Sequence, residues 1–264
     1  MTIRYLLVAG ADGAKWVEED FPAQALRSRD EIRAALKHRR TTVWIADHAS
    51  RLTGLAEETN TTFLTNHRLL LTEGTIGAER DVLHVIFRIV VAPGNGMRIL
   101  PVDELREALA APHRADLLVG GTADLANELV VLYRGTLEPM VIPFSFFDRR
   151  GKGPHPDFED LEITDYGQTV RFGSYEATTD VILYSFDPDY RRRAKARELK
   201  VDPSFGGALR RLRLLKGVAR DDFPGISEKQ IARIERGEIK KPHARTLTLI
   251  GERLGVDPSE IESY

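Results

Sequence analysis

Two rhythms of apolar residues run along the chain. Ile3 to Ala9 is a Leu/Val-rich run that ends at Gly10-Ala-Asp-Gly13, which predicts a buried strand followed by a turn. Ser28 and Glu31 stand three apart, the spacing of a capping box, and Ile32, Ala35 and Leu36 share one face behind them, so a helix is expected as far as Arg39. Thr41 to Ala46 is β-branched and apolar and reads as a second strand; strand, helix and strand in succession suit a parallel crossover. Thr61 to Thr72 and Val82 to Val91 also read as strands, the second buried on both faces. Pro93-Gly-Asn-Gly96 then breaks the pattern. Pro101 opens a short helix through Asp103, Glu104, Leu105, Ala108 and Leu109 that Pro112 ends, and a domain boundary is expected between Pro112 and Ala115.

From Asp116 the pattern shortens to strand-length runs between glycine turns, which predicts a small antiparallel sheet over residues 116–190. Residues 191–204 are highly charged and read as a basic helix or linker. Helical spacing then returns. Gly206 to Leu215 places Leu209, Leu212 and Leu215 on one stripe and closes at Gly217; Arg220-Asp-Asp-Phe is short and stops at Pro224-Gly225. Ser227 and Gln230 form a second capping-box signal, with Ile231 and Ile234 facing inward and Gly237 at the end. Thr246 to Leu254 is a further amphipathic helix, and Pro258 to Ile261 makes a last turn. The expected fold is α+β and multi-domain: an α/β body at 1–115, a β-rich domain at 116–190, and an all-α domain at 205–264.

Charge sharpens this division. The total of −2 conceals 18 Lys/Arg against 11 Asp/Glu in residues 191–264, a formal +7, and 20 against 29 in residues 1–190, a formal −9. A basic tail on an acidic body points to a polyanionic partner for the tail. No cysteine is present, so a disulfide framework and thiolate metal sites are excluded and a cytoplasmic protein is expected. The longest apolar run, near Val82 to Pro93, is interrupted by His84 and Arg88 and falls well short of the ~18–20 residues of a membrane span.

The segments ALRRLRLLKGV, GISEKQIARIERGEIKKP and TLTLIGERLGVDPSEI together resemble the Cro/CI-type (XRE-like) helix-turn-helix family of bacterial and phage repressors over roughly the last 60 residues. One departure is visible: around Pro224 the second helix of that pattern is about three residues short. The resemblance implies a recognition helix opening at Ser227 and an architectural ion pair between Arg213 and Glu235. Helix geometry implies that Glu228, Lys229, Gln230 and Arg233 lie on or near its outer side, where Lys229 and Arg233 are expected donors to guanine and Glu228 an acceptor from cytosine. Ser227, Arg236, Lys240, Lys241, His243 and Arg245 are expected along the phosphates. The bland alternative is a helical oligomerisation module with a solvated basic face. Residues 117–189 loosely resemble a small uncharacterised bacterial β-rich domain family, some members of which are fused to a Cro-type unit; that resemblance implies a fold and no chemistry.

Enzyme motifs are thin. No GxxxxGK[ST], GxGxxG, HExxH or GxSxG occurs. Asp47-His48, His67, His84, His113 and His155 are scattered, each better read as a surface or core histidine than a ligand. Gly94-Asn-Gly96 and Gly120-Gly121-Thr122 are better read as tight turns than phosphate cradles, and Tyr133, Phe144, Phe146, Phe147, Phe158 and Phe172 as sheet core. Two functions remain. The first is a DNA-binding transcriptional regulator, a homodimer on an inverted-repeat operator, with front domains that dimerise it and would house any small-molecule or protein effector; no cofactor, metal or membrane partner is expected. The second is an enzyme or toxin-like effector in the N-terminal body with an autoregulatory DNA-binding tail.

Overall fold

The computed structural model describes residues 3–8, 23–38, 40–52, 66–75, 77–147 and 154–263. The chain mixes helices and sheets and separates into two compact units, Met1–Asp187 and Pro188–Tyr264.

The first unit opens with β1 (Arg4–Val8), β2 (Ala23–Leu26), α1 (Arg29–Leu36), β3 (Thr42–Ala46), β4 (His67–Leu71), α2 (Gly77–Ile86) and β5 (Ile89–Val91). All five strands pair in parallel in the order β2-β1-β3-β4-β5, one of the doubly wound arrangements. The near-continuous apolar strands follow from burial on both faces. Tyr5, Leu7, Val43 and Ile45 point into one core, while Leu6, Val8, Trp44 and Ala46 point into another with Ile32, Ala35 and Leu36 of α1. The Ser28 box forms in full, its hydroxyl accepting from Glu31 N at 3.2 Å while the Glu31 carboxylate accepts from Ser28 N at 3.2 Å. The segment Val82 to Val91 differs from its expectation. It is a helix to Ile86 followed by a three-residue strand, because Leu83 and Ile86 bury at helical spacing while Val85 stays 61% exposed. Of the Thr61 to Thr72 strand, residues 61–65 lie outside the described residues, as do the Gly10–Gly13 turn and Arg39.

The remainder of this unit is β6 (Arg98–Ile99), α3 (Val102–Ala110), β7 (Leu118–Asp124), β8 (Leu129–Arg134), β9 (Pro139–Pro143), β10 (Leu161–Thr164), β11 (Thr169–Phe172), β12 (Tyr175–Thr178) and α4 (Thr179–Phe186). Strands β6 to β9 form one antiparallel sheet and β10 to β12 another. No domain boundary falls between Pro112 and Ala115. Strand β6 pairs with β7 across that point, the Tyr5 hydroxyl donates to Gly135 O at 2.9 Å, and Arg68 Nη1 donates to Thr136 O at 2.7 Å. One core joins Leu7, Val43 and Leu70 to Leu118, Leu132, Phe147 and Ile182. Cut at residue 115, the parallel sheet would expose that whole face, so the β-rich segment is its cover and the unit runs to Asp187.

The second unit is helical: α5 (Pro188–Val201), α6 (Phe205–Leu215), α7 (Glu228–Glu235) and α8 (Ala244–Leu254), with short 3-10 turns at Arg220–Asp222 and Pro258–Ser263. Its core comprises Ala208, Leu209, Leu212, Val218, Phe223, Ile226, Ile231, Ile234, Ile250, Leu254 and Ile261. Leu215 is not part of it and is 73% exposed. Six residues past Leu209 turn a helix by about 600°, which leaves that side chain about 120° off the stripe. Residues 191–204, expected as a basic helix or linker, are helical to Val201.

Candidate nucleic-acid interface

Two short turns set the position of α7. Ahead of it Phe223 and Ile226 both bury, and Gly225 between them takes φ 75, a left-handed value that reverses the chain within two residues. Ser227 is the N-cap, its hydroxyl accepting from Gln230 N at 3.2 Å. The return bond from the Gln230 side chain does not form, so the expected capping box is half made. Behind α7, Gly237 at φ 73 donates to Ile234 O at 2.9 Å and Glu238 N to Arg233 O at 3.0 Å, the two bonds of a Schellman stop.

Between those stops α7 has two faces. Ile231, Ile234 and Glu235 are buried; Lys229, Arg233 and Arg236 project from the opposite side and are exposed. Exposed Glu228 and half-buried Gln230 take the flanks, as 100° per residue requires. Ser227, Lys240, Lys241, His243 and Arg245 are all exposed around the ends of α7 and the start of α8. His243 is the N-cap of α8 and makes no side-chain cap bond, so the first amides of that helix keep their donors unspent on His243.

Charge anchors the inner face. Glu235 has a side chain 1% exposed, and Arg213, 9% exposed, donates to it through Nε at 2.6 Å. The same guanidinium donates through Nη1 to Val218 O at 2.7 Å, which ties the end of α6 to the turn. Arg220 adds a second cation to Glu235 at 2.7 Å. Gly206 lets α6 approach α7 closely; a Cβ there would collide with Ile234 O. Arg253 of α8 donates to Asp222 O at 2.8 Å and so fixes the 3-10 turn ahead of α7.

Two participants were not evident in the sequence. Arg220 shares Glu235, although only the Arg213 pairing was expected. Glu238 bridges two expected DNA contacts, accepting from Arg233 Nε at 3.1 Å and from Arg236 Nε at 2.7 Å. Those bonds, the Arg236 one foremost, hold its carboxyl below the ordinary carboxylate range. Its position two residues after one arginine and five after the other was the available signal.

In the first unit the polar groups nearest to a site lie at the C-terminal edge of the parallel sheet. Asp47 receives Arg51, with Nη2 to Oδ2 at 2.7 Å, and His48 Nε2 lies 3.1 Å from Glu73. Burial would raise the Asp47 carboxyl, but the Arg51 and His48 hydrogen bonds outweigh it and hold the group below its usual range. His67 is a core histidine: Trp44 Nε1 donates to its Nδ1 at 3.3 Å and its Nε2 faces Leu36 O at 3.2 Å. His84, His113 and His155 are exposed, and among the described residues no three His, Asp or Glu side chains gather at a metal-binding distance. Gly120, Gly121 and Thr122 are not a turn but lie inside β7, where a Cβ on Gly121 would sit 2.7 Å from Leu132 Cδ2. Gly94, Asn95 and Gly96 do form a turn with left-handed backbone. Phe147 and Phe172 are buried, with Tyr133, Phe144, Phe146 and Phe158 packed against the same core. Among the described residues no helix is long and apolar enough to cross a membrane. No family model, curated protein or solved structure matches the chain.

Proposed function

We propose that the second unit binds duplex DNA as a Cro/CI-type helix-turn-helix module and that the protein is a transcriptional regulator acting as a dimer. The observation that carries this reading is the two-faced α7, locked from below by Ile231, Ile234 and Glu235 and presenting Lys229 and Arg233 outward. One helix fits a major groove about 12 Å wide, and guanine edges accept from Lys or Arg. Glu228 would meet cytosine and Gln230 adenine or a phosphate. Lys240, Lys241, His243 and Arg245 around the amides of α8 suit phosphates, which favour helix N-termini and cations together. Eight residues of α7 read few base pairs, so discrimination requires two copies, on half-sites about 10–10.5 bp or a multiple apart.

Selection of bound fragments from a random duplex library by the full chain tests this. An inverted repeat is expected. Arg233→Ala and Lys229→Ala should each cost about 1–3 kcal/mol and relax preference at one position, whereas Lys241→Ala should weaken all duplexes alike. A library that returns no enriched sequence, with affinities unmoved in all three variants, overturns the reading.

One observation favours a second reading, an effector in the first unit. Doubly wound sheets take ligands at the carboxyl ends of their strands, and Asp47, His48, Arg51 and Glu73 gather there. Native mass spectrometry of the full chain from its own host tests it: a bound metabolite lost in Asp47→Ala supports a ligand site, and a bare chain in every preparation counts against it.

A further inference from the structure

Helix α5 has no apolar face. Of its fourteen residues only Tyr190 is buried, and Val201 at its end is 76% exposed. Packing of an apolar stripe is what normally holds a helix in place, so this one is retained for its surface. That surface is cationic in composition: α5 contains Arg191, Arg192, Arg193, Lys195, Arg197 and Lys200, and its own acidic residues are Asp189 and Glu198. Arg191 with Lys195 and Arg193 with Arg197 are like charges one turn apart, an arrangement that weakens an isolated helix. The exposed Arg192–Asp189 pair offsets little of this, since both partners are wet. Tyr190 does two things: it anchors α5, and the Arg193 and Arg197 guanidinium carbons each lie 5.4 Å from its ring centroid. A buried ring thus gathers two cations on one side of the helix. Five residues after α5 ends, Gly206 meets the Ile234 carbonyl in the last turn of α7.

We infer that α5 is a second, sequence-independent footing on duplex DNA, laid along the sugar-phosphate backbone beside the groove that α7 enters. This rests on the DNA reading of α7 and extends it to a surface with no base contacts. About 21 Å of helix runs beside some six base pairs, whose phosphates supply the counter-charge that the helix itself lacks. An acidic protein surface is the other partner of matching charge; duplex DNA is preferred because α5 belongs to the same compact unit as α7 and its neighbouring cations.

The test is fluorescence anisotropy of the full chain on a mixed-sequence 30-bp duplex from 50 to 300 mM KCl, with a polyglutamate peptide as second probe. The variant is Arg192→Gln, Lys195→Gln, Arg197→Gln and Lys200→Gln together, which keeps Tyr190 and good helix formers throughout. The slope of log affinity against log salt should fall by about two to four, at ~0.9 for each phosphate no longer neutralised, and affinity at 100 mM should fall tenfold or more. The drop should be equal for every duplex. Lys240→Gln with Lys241→Gln is the reference. If that pair lowers the slope and the α5 variant does not, DNA binding stands and the α5 footing is overturned. If the wild type shows no salt-dependent duplex binding, both readings fail. Loss of polyglutamate binding with unchanged DNA binding assigns α5 to an acidic protein and also overturns the inference.

Discussion

Replacing Glu235 by glutamine keeps the shape of the buried group and removes its charge. Arg213, at 9% side-chain exposure, then has no anion against Nε, only the neutral glutamine oxygen there and its bond to Val218 O. Arg220 is 36% exposed and can turn to water, so its share is small. Breaking a buried pair by neutralising one partner costs about 3–5 kcal/mol. A unit the size of Pro188–Tyr264 carries roughly 4–12 kcal/mol in total, so the change removes about a quarter or more of it and should lower the melting point by roughly 12–40 °C. The double variant Arg213→Met with Glu235→Leu fills the site with apolar groups and should restore all but about 1–2 kcal/mol, the loss left by the unpaired Val218 carbonyl. Both tryptophans, Trp16 and Trp44, precede Asp187, so tryptophan fluorescence follows the first unit only. Hydrogen exchange of α6, α7 and α8 follows the second. The expected result is an early loss of protection in those helices with the fluorescence transition unmoved. Protection unchanged in Glu235→Gln, or a double variant as unstable as the single, would refute the reasoning.

Three further changes test separate parts. Burial holds His67 below the ordinary imidazole range, with His38 adding repulsion, so the unfolded chain takes up the proton first. Stability of the first unit should be full above pH ~6.5 and fall by up to about 1.4 kcal/mol per pH unit below it, a slope that urea titrations followed at Trp44 should lose in His67→Gln. Glu238→Gln frees Arg233 and Arg236 and should raise affinity for any duplex about two- to fivefold, worth roughly 0.5–1 kcal/mol, in a filter-binding assay; a drop would show that Glu238 positions those arginines for DNA. Ser227→Ala should cost about 0.5–2 kcal/mol in thermal unfolding of the second unit, since only one capping bond is removed.

How far the sequence foretold the fold depends on where each signal resided. Ser28 to Leu36 was legible because cap and stripe are both local. The doubly buried strands β1 and β3 were legible because burial on both faces leaves no polar alternation to misread. Val82 to Val91 misled for the same reason in reverse: a short apolar run suits a buried strand as well as a helix, and only partners distant in the chain decide. The boundary expected near Ala115 failed on long-range packing. The residues that cross it, Tyr5 to Gly135 and Arg68 to Thr136, are more than sixty positions apart and leave no trace in local pattern.

The candidate interface was more legible than the body, and the reason is physical. A groove-reading helix needs a cap, a buried stripe, an exposed polar face and a stop, all within about a dozen residues, and Ser227 to Gly237 contains them. What could not be read locally is how the short turn ahead of α7 is held in place. Pro224 ends the 3-10 turn after Asp222, yet Phe223 and Ile226 still reach the core and Arg253 still grips Asp222 O from α8. The task of a positioning helix is to fix the angle at which the next helix enters the groove. On the proposed reading that angle would be set by Phe223, Ile226, the left-handed Gly225 and the Arg213–Glu235–Arg220 cluster. If α7 reads DNA as proposed, the short turn leaves its position to a buried charge, and loss of Glu235 should disturb DNA binding through position rather than through contact.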